Sequence, residues 1–427
     1  MRARRTAGAL ALATALTTAP VLAQTPAATP ADAALLARAM RLQAQVPLID
    51  GHNDLPWEIR EKGGSDLSKL DFEHSLPGQH TDIPRLKQGG VGGVFFAAYV
   101  PVDFAAGGAA RVALEQIDLI HRMAGHSPEL ELATTAADVE RIHRAGRIAA
   151  LIGIEGGHAI ENSLGTLRQF HALGVRYMTL THANTIDWAD AATDSAVHGG
   201  LTPFGEEVVR EMNRLGMLVD LSHVSAETMR DAIRVARAPV IFSHSSAQAI
   251  ADHPRNVPDD VLALLKTNGG VVMVNFFSGF DHPQGARLMR DMFDVQRRFK
   301  AENPNDPARA DSLYHAWSDA NPVPRGDVAM VADHIDHVVK VAGIDHVGIG
   351  SDFDGISVLP AGLEDVAHFP NLTVELLRRG YSDADVKKVL GLNILRVMRE
   401  AEADAVRLQR ERGPSTATIE QLDGPKR

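Results

Sequence analysis

The chain has 427 residues, of which 45% are hydrophobic and 23% are charged, and its formal net charge is -11. This composition excludes a disordered chain, and the length permits one large α/β barrel or two smaller domains. The acidic balance argues against a nucleic-acid-binding surface, and the lack of cysteine excludes disulfides and thiolate metal sites.

The N-terminal residues predict an export signal. Arginines precede an apolar Ala- and Leu-rich run, and Val21-Leu22-Ala23 supplies small residues where a signal peptidase cleaves. We therefore expect residues 1–23 to be removed, residues 24–44 to form an N-terminal extension, and the mature protein to be periplasmic or secreted. An uncleaved anchor is the alternative, but the run is short for a membrane span and Pro20 interrupts it.

Apolar runs then alternate with amphipathic stretches, which is the pattern of βα units around a parallel sheet. Most runs are apolar almost throughout, as strands buried on both faces should be. Eight such units predict an α/β fold of the (β/α)8 TIM barrel type over residues 45–400. The predicted strands are Val46 to His52, Gly93 to Val100, Ile148 to Glu155, Val175 to Thr181, Met217 to Ser222, Pro239 to Ser243, Gly270 to Phe276 and His346 to Ser351. Predicted helices include Ala110 to Met123, Gly165 to Leu173, Thr202 to Leu215, Ser225 to Ala236 and Asp259 to Thr267.

Residues 278–325 interrupt this pattern as an insertion between the last two predicted strands. The segment is polar and rich in proline, although Ala286 to Ala301 has a helical pattern. An insertion of this length is usually functional or an interaction element.

Residues 401–427 form the end of a helix and a polar tail, and we expect disorder from about Gly413 because apolar content is low there.

Single histidine and acidic residues stand where predicted strands end. They are His52 and Asp54 after the first strand, Glu155 after the third, His182 after the fourth, His223 after the fifth, His244 after the sixth and Asp352 after the eighth. Strand ends of a (β/α)8 barrel share one mouth, so these residues can meet. The nitrogen-rich set favours zinc over calcium or magnesium, and it exceeds the needs of one tetrahedral ion. We therefore predict two zinc ions that share a bridging carboxylate, with Glu155 as the candidate.

Each of these residues taken alone is more simply explained as a solvated loop residue or a helix cap. A second His-x-Asp, at His334-Ile335-Asp336, lies in a helical pattern that turns its two side chains apart. We expect His198, His334 and His337 to be surface residues, and His158 to support the site or the fold. Asp50 lies two residues before His52, so on a strand both side chains point to the same side, with Asp50 deeper in the barrel. This position predicts that Asp50 orients the residues of the site.

The combination of short motifs resembles the membrane dipeptidase (renal dipeptidase) family of zinc peptidases over roughly residues 45 to 400. The motifs are Asp50-Gly51-His52-Asn53-Asp54, Gly153-Ile154-Glu155-Gly156-Gly157-His158, Leu180-Thr181-His182, Asp220-Leu221-Ser222-His223, Ser243-His244-Ser245, Arg255-Asn256-Val257-Pro258-Asp259-Asp260 and Gly350-Ser351-Asp352-Phe353-Asp354-Gly355.

The resemblance implies a binuclear zinc enzyme that cleaves dipeptides, including those with a C-terminal D-residue, by attack of a metal-bridging hydroxide. It implies that His52 and Asp54 bind one zinc ion, that His223 and His244 bind the other, and that Glu155 bridges them. His182 would contact the scissile carbonyl oxygen and Asp352 would transfer the proton. Arg255 would bind the substrate carboxylate, whereas without the resemblance a salt bridge to Asp259 is the simpler interpretation.

Alternatives remain open at this point. They are another zinc amidohydrolase or a lactam hydrolase on the same barrel, and a non-hydrolytic binding or maturation protein that retains the fold.

The vertebrate members are anchored and disulfide-bonded, whereas this chain lacks cysteine and an apolar C-terminal anchor signal, and its insertion is longer. The expected partner is a small dipeptide, with no nucleic acid and no membrane anchor in the mature form, and a homodimer is left open.

Overall fold

A ring of parallel strands forms the centre of the computed structural model, which describes residues 30–425. Within that range the strands are β1 (Leu48–Asn53), β2 (Val91–Tyr99), β3 (Leu130–Leu132), β4 (Ile148–Glu155), β5 (Val175–Thr179), β6 (Leu218–Asp220), β7 (Ile241–Phe242), β8 (Val271–Val274) and β9 (Val347–Ile349). Eight of them close the ring in the order β1, β2, β4, β5, β6, β7, β8, β9 and back to β1. The predicted (β/α)8 barrel is therefore confirmed.

The ninth strand, β3, was not predicted. It pairs parallel with β4 outside the ring, from Leu130 opposite Ile148 to Leu132 opposite Ala150. Three residues are too few to give a periodic signal, which explains why the sequence pattern did not reveal it. The eight predicted strands correspond to the strands of the ring, although several observed strands are a few residues shorter.

The strands of the ring are buried on both faces. β2 and β4 pair without interruption from Gly93 opposite Ala149 to Tyr99 opposite Glu155, and every residue of β4 is buried. The barrel interior is filled by large side chains, among them Phe95, Leu151, Tyr177, Ile241 and Met273. This interior packing explains why the strands are apolar throughout and do not alternate with polar residues.

Helices surround the ring, and several begin at a side-chain cap. Ser163, Thr202 and Ser225 each accept a hydrogen bond from a backbone N–H in the first turn. The α-helices are α1 (Pro30–Gln45), α2 (Leu55–Gly63), α3 (Ile83–Gln88), α4 (Ala109–His126), α5 (Ala136–Arg144), α6 (Leu164–Ala172), α7 (Pro203–Leu215), α8 (Ala226–Val235), α9 (Asp259–Asn268), α10 (Ser278–Asp281), α11 (Pro283–Glu302), α12 (Pro307–Ala320), α13 (Val328–Val341), α14 (Phe369–Arg378), α15 (Asp383–Lys387), α16 (Asn393–Glu411) and α17 (Ile419–Asp423). Short 3₁₀ helices cover Val102–Phe104, Gly157–Ile160, Ile344–His346 and Val366–His368, and a π-helical turn covers Lys388–Leu392.

The insertion is mostly helical, formed by α10, α11 and α12. The predicted helix from Ala286 to Ala301 lies within α11. Two prolines of this proline-rich segment, Pro283 and Pro307, are the first residues of α11 and α12. Proline is favourable at that position because the first N–H of a helix has no partner within the helix.

The prediction of disorder from about Gly413 is wrong. The segment ends in α17, where Ile419 is buried. The Asp423 carboxylate accepts hydrogen bonds from Thr202 Oγ1 at 2.7 Å and from the Phe204 amide at 2.9 Å. Asp423 therefore fixes the tail to the N-terminus of α7, a long-range contact that local composition does not predict.

At the N-terminus the structure describes the chain from residue 30 onward. The predicted signal peptide, residues 1–23, lies outside the described residues, whereas α1 covers much of the predicted extension at 24–44 and buries Ala39 and Leu42. Among residues 30–425, none of the helices combines the length and the apolar content that a membrane crossing requires.

His334 is not the surface residue that we expected. It is fully buried on α13, where its Nδ1 accepts a hydrogen bond from the Ala247 amide at 3.1 Å and its Nε2 donates to the Asp281 carbonyl at 3.0 Å. His337 is partly covered and pairs with Asp259 at 2.7 Å, and His198 is partly exposed. The helical prediction for His334 and Asp336 is confirmed.

Candidate active site

The barrel mouth gathers the residues that the sequence analysis placed at strand ends. A cavity of about 570 Å³ opens there. Its lining includes Asp54, Glu155, His182, His223, Arg255 and Asp352. His52 and His244 complete the group, because both are buried and both have Nε2 within 3.6 Å of a Glu155 oxygen. Residues up to 300 positions apart in sequence therefore meet at one place.

Glu155, the last residue of β4, lies at the centre of this group. Its Oε1 is 3.0 Å from His223 Nε2, 3.5 Å from His244 Nε2 and 3.8 Å from His182 Nε2. Its Oε2 is 3.6 Å from His52 Nε2. The two oxygens of one carboxylate therefore contact different sets of imidazoles.

The second carboxylate, Asp54, follows β1. Its Oδ2 lies 3.2 Å from His52 Nε2, and the ligand atoms of His52, Asp54 and Asp352 all lie within 4.8 Å of one another. Asp352 is also fixed from behind, because Asn275 Nδ2 donates to its Oδ2 at 2.9 Å. The His52 side of the cluster is therefore richer in carboxylate than the His223 side.

Burial determines the protonation state of the imidazoles on the His223 side of the cluster. It lowers the pKa of His223 and of His244 well below the ordinary value, which leaves both rings neutral. Their Nε2 atoms are only 2.9 Å apart. Two neutral imidazoles whose nitrogens converge in this way offer lone pairs to a cation.

The pKa values of Glu155 and Asp352 shift in opposite directions at this site. Burial acts to raise the pKa of Glu155, but the imidazoles of His52 and His182 outweigh it and hold that pKa well below its usual range. Burial raises the pKa of Asp352 to about 7, and the negative charges of Asp54 and Glu155 add to this effect. Glu155 is therefore a stable anion, whereas Asp352 exchanges a proton near neutral pH.

Hydroxyl groups orient two of the rings from behind. Ser243 Oγ donates to Asp220 Oδ2 at 2.6 Å and therefore accepts the Nδ1–H of His244 at 2.8 Å. Tyr177 Oη lies 2.8 Å from His52 Nδ1. Support of this kind fixes the tautomer and leaves Nε2 free to bind a metal.

These residues fit a divalent metal. Three groups of three potential ligands, all of them His, Asp or Glu, lie within 4.8 Å, and Glu155 belongs to two of the groups. His52 Nε2 is buried and has no hydrogen-bond partner among the described residues. A set of imidazoles and carboxylates without thiolates suits zinc and similar borderline ions.

Backbone conformation at the mouth is strained at two of these positions. His223 has a φ of 70° and Asp352 a φ of 64°, in the left-handed region that non-glycine residues rarely adopt. Such conformations persist where surrounding structure enforces them, and they concentrate at functional sites. The strain supports a functional role for both residues.

Arg255 lines the cavity although it is only 2% exposed. Its guanidinium donates weakly to Ser245 Oγ at 3.3 Å and to the His244 carbonyl at 3.4 Å, and its Nε has no partner among the described residues. The alternative salt bridge to Asp259 is wrong, because Asp259 pairs with His337. A buried cation without a described carboxylate partner is suited to an anionic ligand.

Sequence reasoning did not identify several residues around the cavity. Trp57, Tyr99, Phe280 and Asp354 line its walls. Strand-end positions would have revealed Tyr99, the last residue of β2. The others lie in helices and loops, where no periodicity predicts their direction.

The two residues expected to support the site lie close to it. Asp50 accepts hydrogen bonds from the Ser351 amide at 2.7 Å and from Ser351 Oγ at 2.6 Å, so it fixes the residue next to Asp352. His158 is buried in the turn after Glu155, outside the three groups of potential ligands.

Known proteins share both the sequence and the fold. Dipeptidase verJ of Clonostachys rogersoniana is 42% identical over 386 residues, which cover 88% of this chain and 89% of that protein. Dipeptidase 3 of Mus musculus is 42% identical over 376 residues, covering 87% and 68%. The probable dipeptidase PvdM from Pseudomonas aeruginosa matches with a TM-score of 0.75 and 26% identity over 88% of this chain and all of that one. A metallo peptidase from Rhodobacter sphaeroides, solved with a phosphinate mimic of the dipeptide L-Ala-D-Ala, matches with a TM-score of 0.67 and 26% identity, covering 83% and 99%.

A (β/α)8 barrel whose carboxyl mouth surrounds a buried glutamate with imidazoles defines a metal-dependent hydrolase. The family model described as Membrane dipeptidase (Peptidase family M19) matches residues 36–412. The chain belongs to this family and is a metallodipeptidase.

Proposed function

We propose that this enzyme hydrolyses dipeptides with two zinc ions, one bound by His52 and Asp54, the other by His223 and His244, with Glu155 shared. The observation that carries the proposal is the position of Glu155: Oε2 faces His52 at 3.6 Å, whereas Oε1 faces His223 at 3.0 Å and His244 at 3.5 Å. A carboxylate between two ligand sets can be shared by a pair of ions.

When bound, the zinc ions would supply an acidified water as nucleophile and positive charge for the carbonyl oxygen. The residues of the chain supply the remainder. His182 faces the cavity with its side chain 22% exposed, so it is the imidazole available to donate to the oxygen that becomes negative. Asp352 lines the cavity, where Asn275 Nδ2 holds its Oδ2 at 2.9 Å, and it accepts a proton from the attacking water and passes it to the leaving amine.

Substrate size follows from the shape of the cavity and from Arg255. The buried guanidinium binds the C-terminal carboxylate of the substrate within the cavity, and fixing that end beside the scissile bond favours a dipeptide over a longer peptide. We extend the proposal to dipeptides with a C-terminal D-residue, since the Rhodobacter sphaeroides relative was solved with a mimic of L-Ala-D-Ala.

Export is proposed from the N-terminal sequence alone, with cleavage after Ala23. Fractionation of the producing cell, with N-terminal sequencing of the mature protein, tests it. Recovery of the uncleaved chain from the cytoplasm would contradict export without affecting the catalytic proposal.

The deciding experiment combines metal analysis with a substrate panel. The purified mature enzyme is expected to contain about two zinc ions per chain and to cleave L,L- and L,D-dipeptides. A reproducible value near one ion contradicts the shared-glutamate site. Turnover confined to N-acyl amino acids or lactams would favour an amidohydrolase or lactam hydrolase, and an absence of turnover would favour a non-hydrolytic role.

A further inference from the structure

We propose that Tyr177 is a positioning residue of the metal site, which holds the His52 imidazole so that Nε2 faces Asp54 and Glu155. The proposal rests on the metal site described under the proposed function. It concerns a residue in the middle of β5, one that none of the strand-end motifs contains.

The contact is short and completely enclosed. Tyr177 Oη lies 2.8 Å from His52 Nδ1, and both side chains are fully buried. An imidazole that gives its Nε2 lone pair to a cation carries its proton on Nδ1, and a buried Nδ1–H requires an acceptor. Tyr177 Oη is the hydrogen-bond partner that the described residues provide for this nitrogen.

Tyr177 reaches His52 across the barrel interior, from β5 to β1. Its ring packs against Phe95 with ring centroids 5.1 Å apart. On the other side it lies over Gly153, where an added Cβ would be 2.0 Å from Tyr177 Cζ. Because the ring occupies the space of a side chain, residue 153 has to be glycine. The Gly153-Ile154-Glu155 segment therefore contributes both the central carboxylate and the room for the tyrosine.

The choice of a phenol has an electrostatic consequence. Histidine ligands are commonly supported by carboxylates, which make the ring more basic and add negative charge. A phenol, whose ordinary pKa is about 10, is neutral at neutral pH, so Tyr177 accepts the hydrogen bond from the Nδ1–H without adding a charge. The His52 side already holds Asp54, Glu155 and Asp352, and a neutral support leaves more of the positive charge of the metal for the substrate.

The test is Tyr177→Phe, which keeps the ring and removes the hydroxyl. We expect one of the two zinc dissociation constants, that of the ion bound by His52, to rise about 10- to 100-fold in competition with a chromogenic chelator, while the other constant is unchanged. The matched control is Tyr381→Phe. That hydroxyl donates to Asp336 Oδ1 at 2.7 Å on the outside of the barrel, so its loss should leave both constants unchanged.

Two further measurements test the inference even if Tyr177→Phe does not fold. In the intact zinc-loaded enzyme, ¹⁵N NMR of the histidines should show the His52 proton on Nδ1. In Gly153→Ala, displacement of the ring should reproduce the selective loss of zinc. Parental zinc affinity in folded Tyr177→Phe, or a His52 without an Nδ1 proton in the loaded enzyme, would overturn the inference. A parent enzyme that binds no zinc would instead contradict the proposed function.

Discussion

Gly355 provides a sharp test of how closely the carboxylates at the barrel mouth are packed. This residue lines the cavity immediately after the Asp352-Phe353-Asp354 segment. A Cβ added there would lie 2.3 Å from Asp54 Oδ2 and 2.6 Å from Asp352 Oδ1. Both oxygens belong to side chains to which we assign a role, one as a zinc ligand and the other in proton transfer.

The size of the effect follows from these distances. Ordinary contact begins at 3.4 Å, so in Gly355→Ala the methyl group has to displace one or both carboxylates by roughly 1 Å. A misplacement of this size at a reacting group costs about 10²-fold in rate. Overpacking at one position costs only about 1 to 3 kcal/mol of stability, so we expect the variant to fold.

The assay is kcat/KM on a dipeptide, together with zinc content and thermal unfolding. We expect Gly355→Ala to lose about 10²-fold in kcat/KM while remaining folded. Gly78→Ala is the matched control, because a Cβ there has no atom within 4 Å and activity should be unchanged. Parental kcat/KM and zinc content in Gly355→Ala would refute the packing argument.

Three further predictions address the proton, the metal and the insertion. Asp352→Asn should keep its zinc but lose roughly 10²-fold or more in kcat, and unchanged turnover would remove Asp352 from the mechanism. Removing zinc with a chelator should lower stability by about 2.7 kcal/mol for an ion present at 100 times its dissociation constant, measured by urea unfolding. Burial raises the pKa of Asp281 well above its ordinary value, so the stability it contributes is present below about pH 4 and is lost as pH rises toward the folded-state pKa. Asp281→Asn should therefore reduce the fall in stability between about pH 5 and pH 8, and an unchanged pH profile would contradict this assignment.

Strand-end positions were predictable because they depend on two local signals. An apolar run locates a strand, and the first polar residue after it locates the mouth of the barrel, as for His52, Glu155 and His244. Ring closure then brings these ends together whatever their separation in the sequence. The placement of these residues around one cavity therefore follows from the fold class.

Tyr177 and His334 show what local signals cannot predict. Tyr177 lies in the middle of a largely buried strand, and the contact of its hydroxyl with His52 depends on the absence of a side chain at Gly153 on a neighbouring strand. His334 is polar on an amphipathic helix, which predicts exposure, but α10 of the insertion packs over it and supplies the Asp281 carbonyl. Both outcomes are set by which elements become neighbours, and the local sequence pattern around each residue does not reveal that.

The electrostatics of the mouth link the fold to its need for a metal. Burial raises the pKa of Asp54 and of Asp352, which shows that the fold places carboxylates where their charged forms are poorly solvated. Neighbouring His223 and His244 are neutral for the same reason, so among the three ligand histidines only His52, whose pKa its acidic neighbours raise well above the ordinary value despite burial, offsets this negative charge. Arg255 is the buried cation beside the cavity, yet it forms no ion pair with a described carboxylate. Divalent ions would remove this imbalance, so the residues that we assign to catalysis should also make the folded enzyme depend on its metal.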